Sequence, residues 1–246
     1  MALRNELEKT GFWLFRYRSF LPFAALPVFA VCMMSYSYLG ESHRVTAWWQ
    51  LFCLGVSLAG LGVRILSVGH APRRTSGRNT HEQVADSLST TGMYSVVRHP
   101  LYLGNYLMLI GFVLFFHIWW LVLLASCAYA LYYERIMLAE EEFLRQQFGG
   151  TFEAWAAATP AFLPRLHGWK SPALPFCWRT VLRREYSGLF LITTTFFLLD
   201  AMGDWRVEQS VKPDWLWICV FGFGLVVYLA LRTLKKHSRL LHVPGR

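Results

Sequence analysis

Two stretches decide the reading of this chain: TTGMYSVVRHPLYLGNY, residues 90–106, and YYERIMLAEEEFLRQQFGG, residues 132–150. The segment joining them, Leu101 to Tyr133, runs for 33 residues without an Asp, Glu, Lys or Arg. One helix of that length would extend about 50 Å, against a hydrocarbon core of about 30 Å. Two antiparallel spans turning near His117 to Trp120 fit better, with Trp119 and Trp120 as interfacial anchors. Such a hairpin brings Arg98 and His99 to the same membrane face as Glu140, Glu141 and Glu142. The second helix is expected to run on past the lipid to about Phe148, where Gly149 and Gly150 end it.

Outward from the hairpin, the composition points to an all-α, polytopic membrane bundle. Hydrophobic residues make up 55% and charged residues 16% of the 246 positions, well below the roughly 25% charge of soluble chains. Further spans are predicted at about Ser19–Leu39, Ala47–Val68, Gly188–Met202 and Trp215–Leu231, six in all. The second carries Gly55, Ala59, Gly60 and Gly62, small residues that let helices approach closely in lipid. Arg64, near its end, reads first as a snorkelling side chain, with a buried functional charge as the alternative. The amino terminus carries no cleavable signal pattern and reads as a short segment feeding the first span. Residues 150–186, rich in proline, are expected to form short helices and loops on the membrane surface. The chain divides accordingly into residues 1–69, 70–186 and 187–246, with the chemistry in the middle part.

The net charge of +9 follows the same plan. With both termini cytoplasmic, twenty of the 24 Lys and Arg residues fall on that side, as the positive-inside rule requires. Anionic lipids at that face are the expected partners, and no nucleic-acid motif is present. His70, His81 and His99 lack metal-ligand spacing, and the five cysteines form neither a CxxC pair nor a disulfide framework, so no metal is expected.

Pro100 after Arg98 and His99 suits the first turn of a helix, where a missing N–H costs nothing. His99 and Tyr102, three apart, share a face. Arg98 can grip a carboxylate or phosphate, and Gly104 leaves room for a ligand or a neighbouring helix. Glu141 and Arg145 have the spacing of an ordinary surface pair. Opposite Arg98 and His99, a Glu can instead hold ribose hydroxyls or the ammonium group of a cofactor.

The pattern TxGxYxxxRHPxYxG is met by Thr90, Gly92, Tyr94, Arg98, His99, Pro100, Tyr102 and Gly104. After the hairpin, EExxLxxxFG is met by Glu140, Glu141, Leu144, Phe148 and Gly149. In these two motifs the chain resembles the integral-membrane methyltransferases that include isoprenylcysteine carboxyl methyltransferase and bacterial phospholipid methyltransferase-like proteins. The resemblance implies a cytoplasmic-face pocket for S-adenosylmethionine lined by Tyr94, His99, Pro100, Tyr102, Gly104, Glu140 and Glu141. Arg98 and Glu141 would act in catalysis, and a lipophilic acceptor would enter sideways from the bilayer of a bacterial inner membrane. The chain departs from the family at Phe152 and Trp155, where tyrosines are usual, and at Pro160-Ala161, where Pro-Arg is usual. Arg135 fits the acceptor-binding arginine register only loosely, and the two spans after residue 186 exceed the family core.

A carboxylate or phosphate acceptor is nucleophilic once ionised, whereas an amine must first lose a proton. The scarcity of free bases therefore favours an anionic acceptor. Two other readings stay open at this point: an NADPH-dependent membrane reductase of the sterol-reductase type, and a transporter or scaffold without catalysis. The oligomeric state does not follow from the sequence.

Overall fold

The computed structural model describes residues 2–17, 26–72, 85–210 and 214–243. All regular structure among them is helical. In chain order the helices are α1 (Ala2–Tyr17), α2 (Leu26–Met34), α3 (His43–Gly69), α4 (Pro100–Leu114), α5 (Trp119–Phe148), α6 (Gly150–Ala158), α7 (Trp178–Glu208) and α8 (Trp215–His237). Helices α3, α5, α7 and α8 are long and apolar enough to cross a membrane, whereas α4, at 15 residues, is apolar but shorter. Their outward faces carry Trp48, Phe52, Leu123, Leu131, Phe223 and Val226, a surface suited to lipid.

α3 is the centre of the bundle, packing on α4 along one side and on α7 along the other. Its contact with α4 depends on missing side chains. A Cβ on Gly60 would lie 2.5 Å from the Gly104 carbonyl oxygen, and one on Gly104 would lie 2.7 Å from that of Gly60. Farther along, Gly111 faces Ser57, whose hydroxyl donates to the Met108 carbonyl at 3.0 Å. Gly55 and Gly62 face open space, so the small-residue reading of this span holds at Gly60 and not at its neighbours.

The hairpin forms as expected, turning between Leu114 and Trp119 with His117 at φ 46°. Trp49 Nε1 donates at 2.8 Å to the Leu114 carbonyl at the end of α4, which also accepts from the His117 amide at 3.0 Å. α5, at 30 residues, is about 45 Å long. It is therefore longer than a hydrocarbon core of about 30 Å, with Glu140 to Phe148 in its last turns. Gly149, at φ 51°, ends it.

The structure adds detail to two expectations, and a third lies partly outside the described residues. The amino-terminal segment is a helix, α1, docked on α5 where Gly11 lies against the Arg135 carbonyl. The fifth span is the middle of a 31-residue helix. After Pro175 nothing breaks that helix, so residues 178–186 leave the surface segment and join α7. The predicted first span falls partly on residues 18–25, outside the described residues, and α2 covers Leu26–Met34 of it.

Candidate active site

The turn before α4 is strapped to the chain after α6. The Arg98 and His99 amides donate to the Pro160 and Ala161 carbonyls at 2.8 and 3.2 Å, and the Arg165 amide donates to Val96 at 2.9 Å. Trp155 Nε1 donates to the Tyr94 carbonyl at 3.0 Å, so the departure from tyrosine at this position serves to hold the strap. Phe152, the other departure, is fully buried. Val96 and Val97 are buried beneath the strap, and Pro100 opens α4 with His99 as its N-cap residue.

The two clusters meet. Arg98 Nε donates to Glu141 Oε1 at 2.7 Å, and His99 Nε2 lies 3.1 Å from the same oxygen. His99 Nδ1 lies 3.5 Å from Glu140 Oε2, and the Tyr102 hydroxyl donates to Glu140 Oε1 at 2.7 Å. Rings of His99 and Tyr102 stack with centroids 5.7 Å apart, the shared face that their spacing predicts. Two bases and two acids are thereby matched within one cluster. Side-chain exposure falls from 27% at Glu140 through 17% at Arg98 and 15% at Glu141 to 6% at His99, so the cluster opens on the Glu140 side. Burial disfavours the imidazolium of His99, but hydrogen bonds and charge from Glu140 and Glu141 outweigh it and leave its pKa above the usual value. Tyr94, by contrast, stays a phenol: burial and the nearby Glu140 both push its pKa up, against the opposing pull of Arg184 and Arg64.

The structure gives these side chains definite partners. Arg98 does not stand free, because the carboxylate it grips is that of Glu141. Its Nη1 donates to the Ala156 and Thr159 carbonyls, both at 2.7 Å, at the open end of α6, while its Nε is committed to Glu141. Nor does Glu141 pair with Arg145, which instead takes Glu142 at 2.5 Å and Glu153 at 2.8 Å. Gly104 leaves room for the stem of Arg64 and the backbone of α3, not for a ligand.

An inner layer escaped the sequence reading. Tyr133 lies against Tyr102 at 4.7 Å and stacks on Tyr129 at 4.1 Å. The Tyr129 hydroxyl donates to the Tyr102 carbonyl at 2.7 Å. The signal was present in the sequence: hydroxyl groups at i and i+4 inside an apolar block need internal partners. Arg64 is not a snorkelling side chain either, because it pairs with Glu185 at 2.8 Å.

Several of these residues could hold a nucleoside cofactor carrying a sulfonium group. Glu140, the most exposed of the four, presents a carboxylate for ribose hydroxyls or an ammonium group, and the aromatic rings beside it suit a sulfonium cation. No group of three or more His, Cys, Asp or Glu among the described residues is arranged for a metal ion.

Comparisons with known proteins agree with the motifs. Residues 51–151 match the family model described as phospholipid methyltransferase, which bears out the resemblance over that stretch and suggests a membrane methyltransferase. The chain is 34% identical over 134 residues to the nickel-cobalt-cadmium resistance protein NccN of Alcaligenes xylosoxydans xylosoxydans, covering 54% of this chain and 59% of that protein. It is also 34% identical over 113 residues to the cobalt-zinc-cadmium resistance protein CzcN of Cupriavidus metallidurans, covering 45% of this chain and 50% of that protein. The matched part thus spans between half and three-fifths of these relatives. No solved structure matches.

Proposed function

We propose that this protein transfers a methyl group from S-adenosylmethionine to an anionic oxygen, carboxylate or phosphate, of a lipophilic acceptor that enters from the bilayer. The observation supporting it is the convergence of Arg98, His99 and Tyr102 on Glu140 and Glu141, residues 38 to 43 positions away, at the end of a membrane hairpin. The donor supplies a methyl group already activated on a sulfonium, so transfer breaks its C–S bond, leaves that electron pair on sulfur, and forms a C–O bond from an oxygen lone pair. One negative charge of the acceptor is discharged and no proton moves. The protein's part is alignment and exclusion of water.

His99 faces carboxylates with both ring nitrogens, which favours its protonated form and takes it out of service as a base. That supports an anionic acceptor over an amine. The excess of Lys and Arg at the loops flanking this cluster supports placing it, with both termini, at the cytoplasmic face over anionic lipid. The metal resistance for which the two relatives are named is carried to this chain only as a setting for phenotype.

The test uses purified protein in detergent with tritiated methyl donor and a total bacterial lipid extract. Label is expected in the lipid phase from the wild type and lost in Glu141→Gln. Failure of the wild type to bind S-adenosylhomocysteine, with no label transferred, would sink the reading.

A further inference from the structure

Arg64 and Glu185 form an ion pair that the cluster above does not use. Arg64 lies in α3, inside the stretch matching the phospholipid methyltransferase family, whereas Glu185 lies in α7, outside it. Nε and Nη2 of Arg64 donate to Glu185 Oε2 and Oε1 at 2.8 and 2.9 Å, and Nη1 donates to Asn105 Oδ1 at 2.6 Å. The side chains are 18% and 5% exposed. Stability alone is a poor reason for such a pair, since desolvating two charges offsets much of their attraction and apolar packing serves as well. Ionisable groups within membrane helices mark ligand paths by default.

Its position identifies the path. Asn105 Nδ2 reaches the Tyr133 hydroxyl at 3.5 Å, and Tyr133 lies against Tyr102, which holds Glu140. Asn105 is three residues beyond Tyr102 on α4, so Arg64 stands one helical turn deeper than the methyl-donor cluster. α4 and α7 touch each other little, and Arg64 reaches between them from α3, held to one by Asn105 and to the other by Glu185. Gly104 makes that reach possible, because a Cβ there would lie 2.5 Å from Arg64 Cγ. A guanidinium has five N–H donors. Three serve Glu185 and Asn105, which leaves two for a further anion. Arg98 has the same count, with three donors on Glu141 and the end of α6, so what sets Arg64 apart is its place between α4 and α7.

We propose that Arg64 holds the anionic head group of the methyl acceptor between α4 and α7. Glu185 and Asn105 are positioning residues that fix its guanidinium. The proposal rests on the methyl-transfer reading and adds the site that selects the acceptor. It also gives the carboxyl-terminal helices a purpose, because α7 completes the acceptor site.

The test compares wild type, Arg64→Gln, Arg64→Lys and the exchanged pair Arg64→Glu with Glu185→Arg, all purified in detergent. Tritiated methyl donor is supplied with the acidic or the non-acidic fraction of a bacterial lipid extract, separated by anion exchange. S-adenosylhomocysteine binding and thermal unfolding are read alongside. Label is expected in the acidic fraction. Arg64→Gln should raise KM for that fraction by about 10- to 100-fold, the worth of charged hydrogen bonds, with homocysteine-nucleoside binding changed less than about twofold. Arg64→Lys should recover part of the loss. The exchanged pair should regain thermal stability relative to Arg64→Gln without regaining KM. If the exchanged pair regains both, or Arg64→Gln leaves KM unchanged, the pair is only a clamp between helices and the proposal falls. Label confined to the non-acidic fraction overturns it while methyl transfer stands. A wild type that neither binds the nucleoside nor labels any lipid removes methyl transfer itself.

Discussion

The bundle has a polar cluster at each end, and the two are built on opposite plans. At the Arg98 end two acids face two bases, and each carboxylate has a named donor. At the far end Asp200 and Asp204 of α7 are 2% and 4% exposed, and no Lys or Arg among the described residues is paired with them. The Tyr38 hydroxyl lies 3.0 Å from both Asp204 Oδ1 and Glu208 Oε1, yet it has one proton to give. Burial, then bonding to Asp204 and Glu208, raise the Tyr38 pKa and keep that proton in place. Asp200 Oδ2 is buried with no hydrogen-bond partner among the described residues. The first cluster is neutral because its charges cancel, whereas the second has no Lys or Arg among the described residues to cancel its acids. Removing one member should therefore harm the first and relieve the second.

Arg98→Ala is the most severe way to test that contrast. It strands Glu141 and uncovers the Ala156 and Thr159 carbonyls, at about 3–5 kcal/mol. Thermal unfolding in detergent should show a large drop, together with loss of methyl transfer. Gly104→Ala drives a methyl group into Arg64 and the Gly60 carbonyl and should cost about 1–3 kcal/mol by the same measurement. Tyr102→Phe removes the donor to Glu140 Oε1, for about 1–3 kcal/mol. Calorimetric titration with S-adenosylhomocysteine should show the weakening, and unchanged affinity would mean that Glu140 does not meet the nucleoside.

Proton linkage gives a subtler separation. The pKa of His99 is raised in the folded state, so its contribution to stability is full below the ordinary histidine pKa and is lost as pH rises through the raised one. The melting temperature should fall across that window in the wild type and lose this dependence in His99→Gln. The smallest effect is expected at the other end. Asp204→Asn removes a buried acid that no Lys or Arg among the described residues pairs, so it should leave the melting temperature unchanged or slightly higher. A drop as large as that of Arg98→Ala would show that the two ends are not opposites.

Much of the hairpin was legible in the residues alone. An uncharged block too long for one span had to fold back, Pro100 had to open a helix, and Gly149 had to close one. Those are local facts of helix geometry and backbone freedom. Partner choice was not legible. Glu141 and Arg145 have suitable spacing, yet Glu141 turns to Arg98, because the strap after α6 brings that guanidinium to the inward face of α5. Arg64 read as a snorkelling residue because its counter-charge lies 121 positions away, on a helix whose start the polar composition of residues 178–186 concealed.

Pattern and composition alone determined that this chain is a helical membrane protein with the two motifs at one end of a hairpin, since span length, helix caps and residue spacing are properties of contiguous segments. Only tertiary packing decided which charge meets which: the strap after α6 turns Arg98 to Glu141, and the packing of α3 between α4 and α7 carries Arg64 to Glu185. The second pairing depends on how closely Gly60 and Gly104 let the backbones approach, a distance that no stretch of sequence contains by itself.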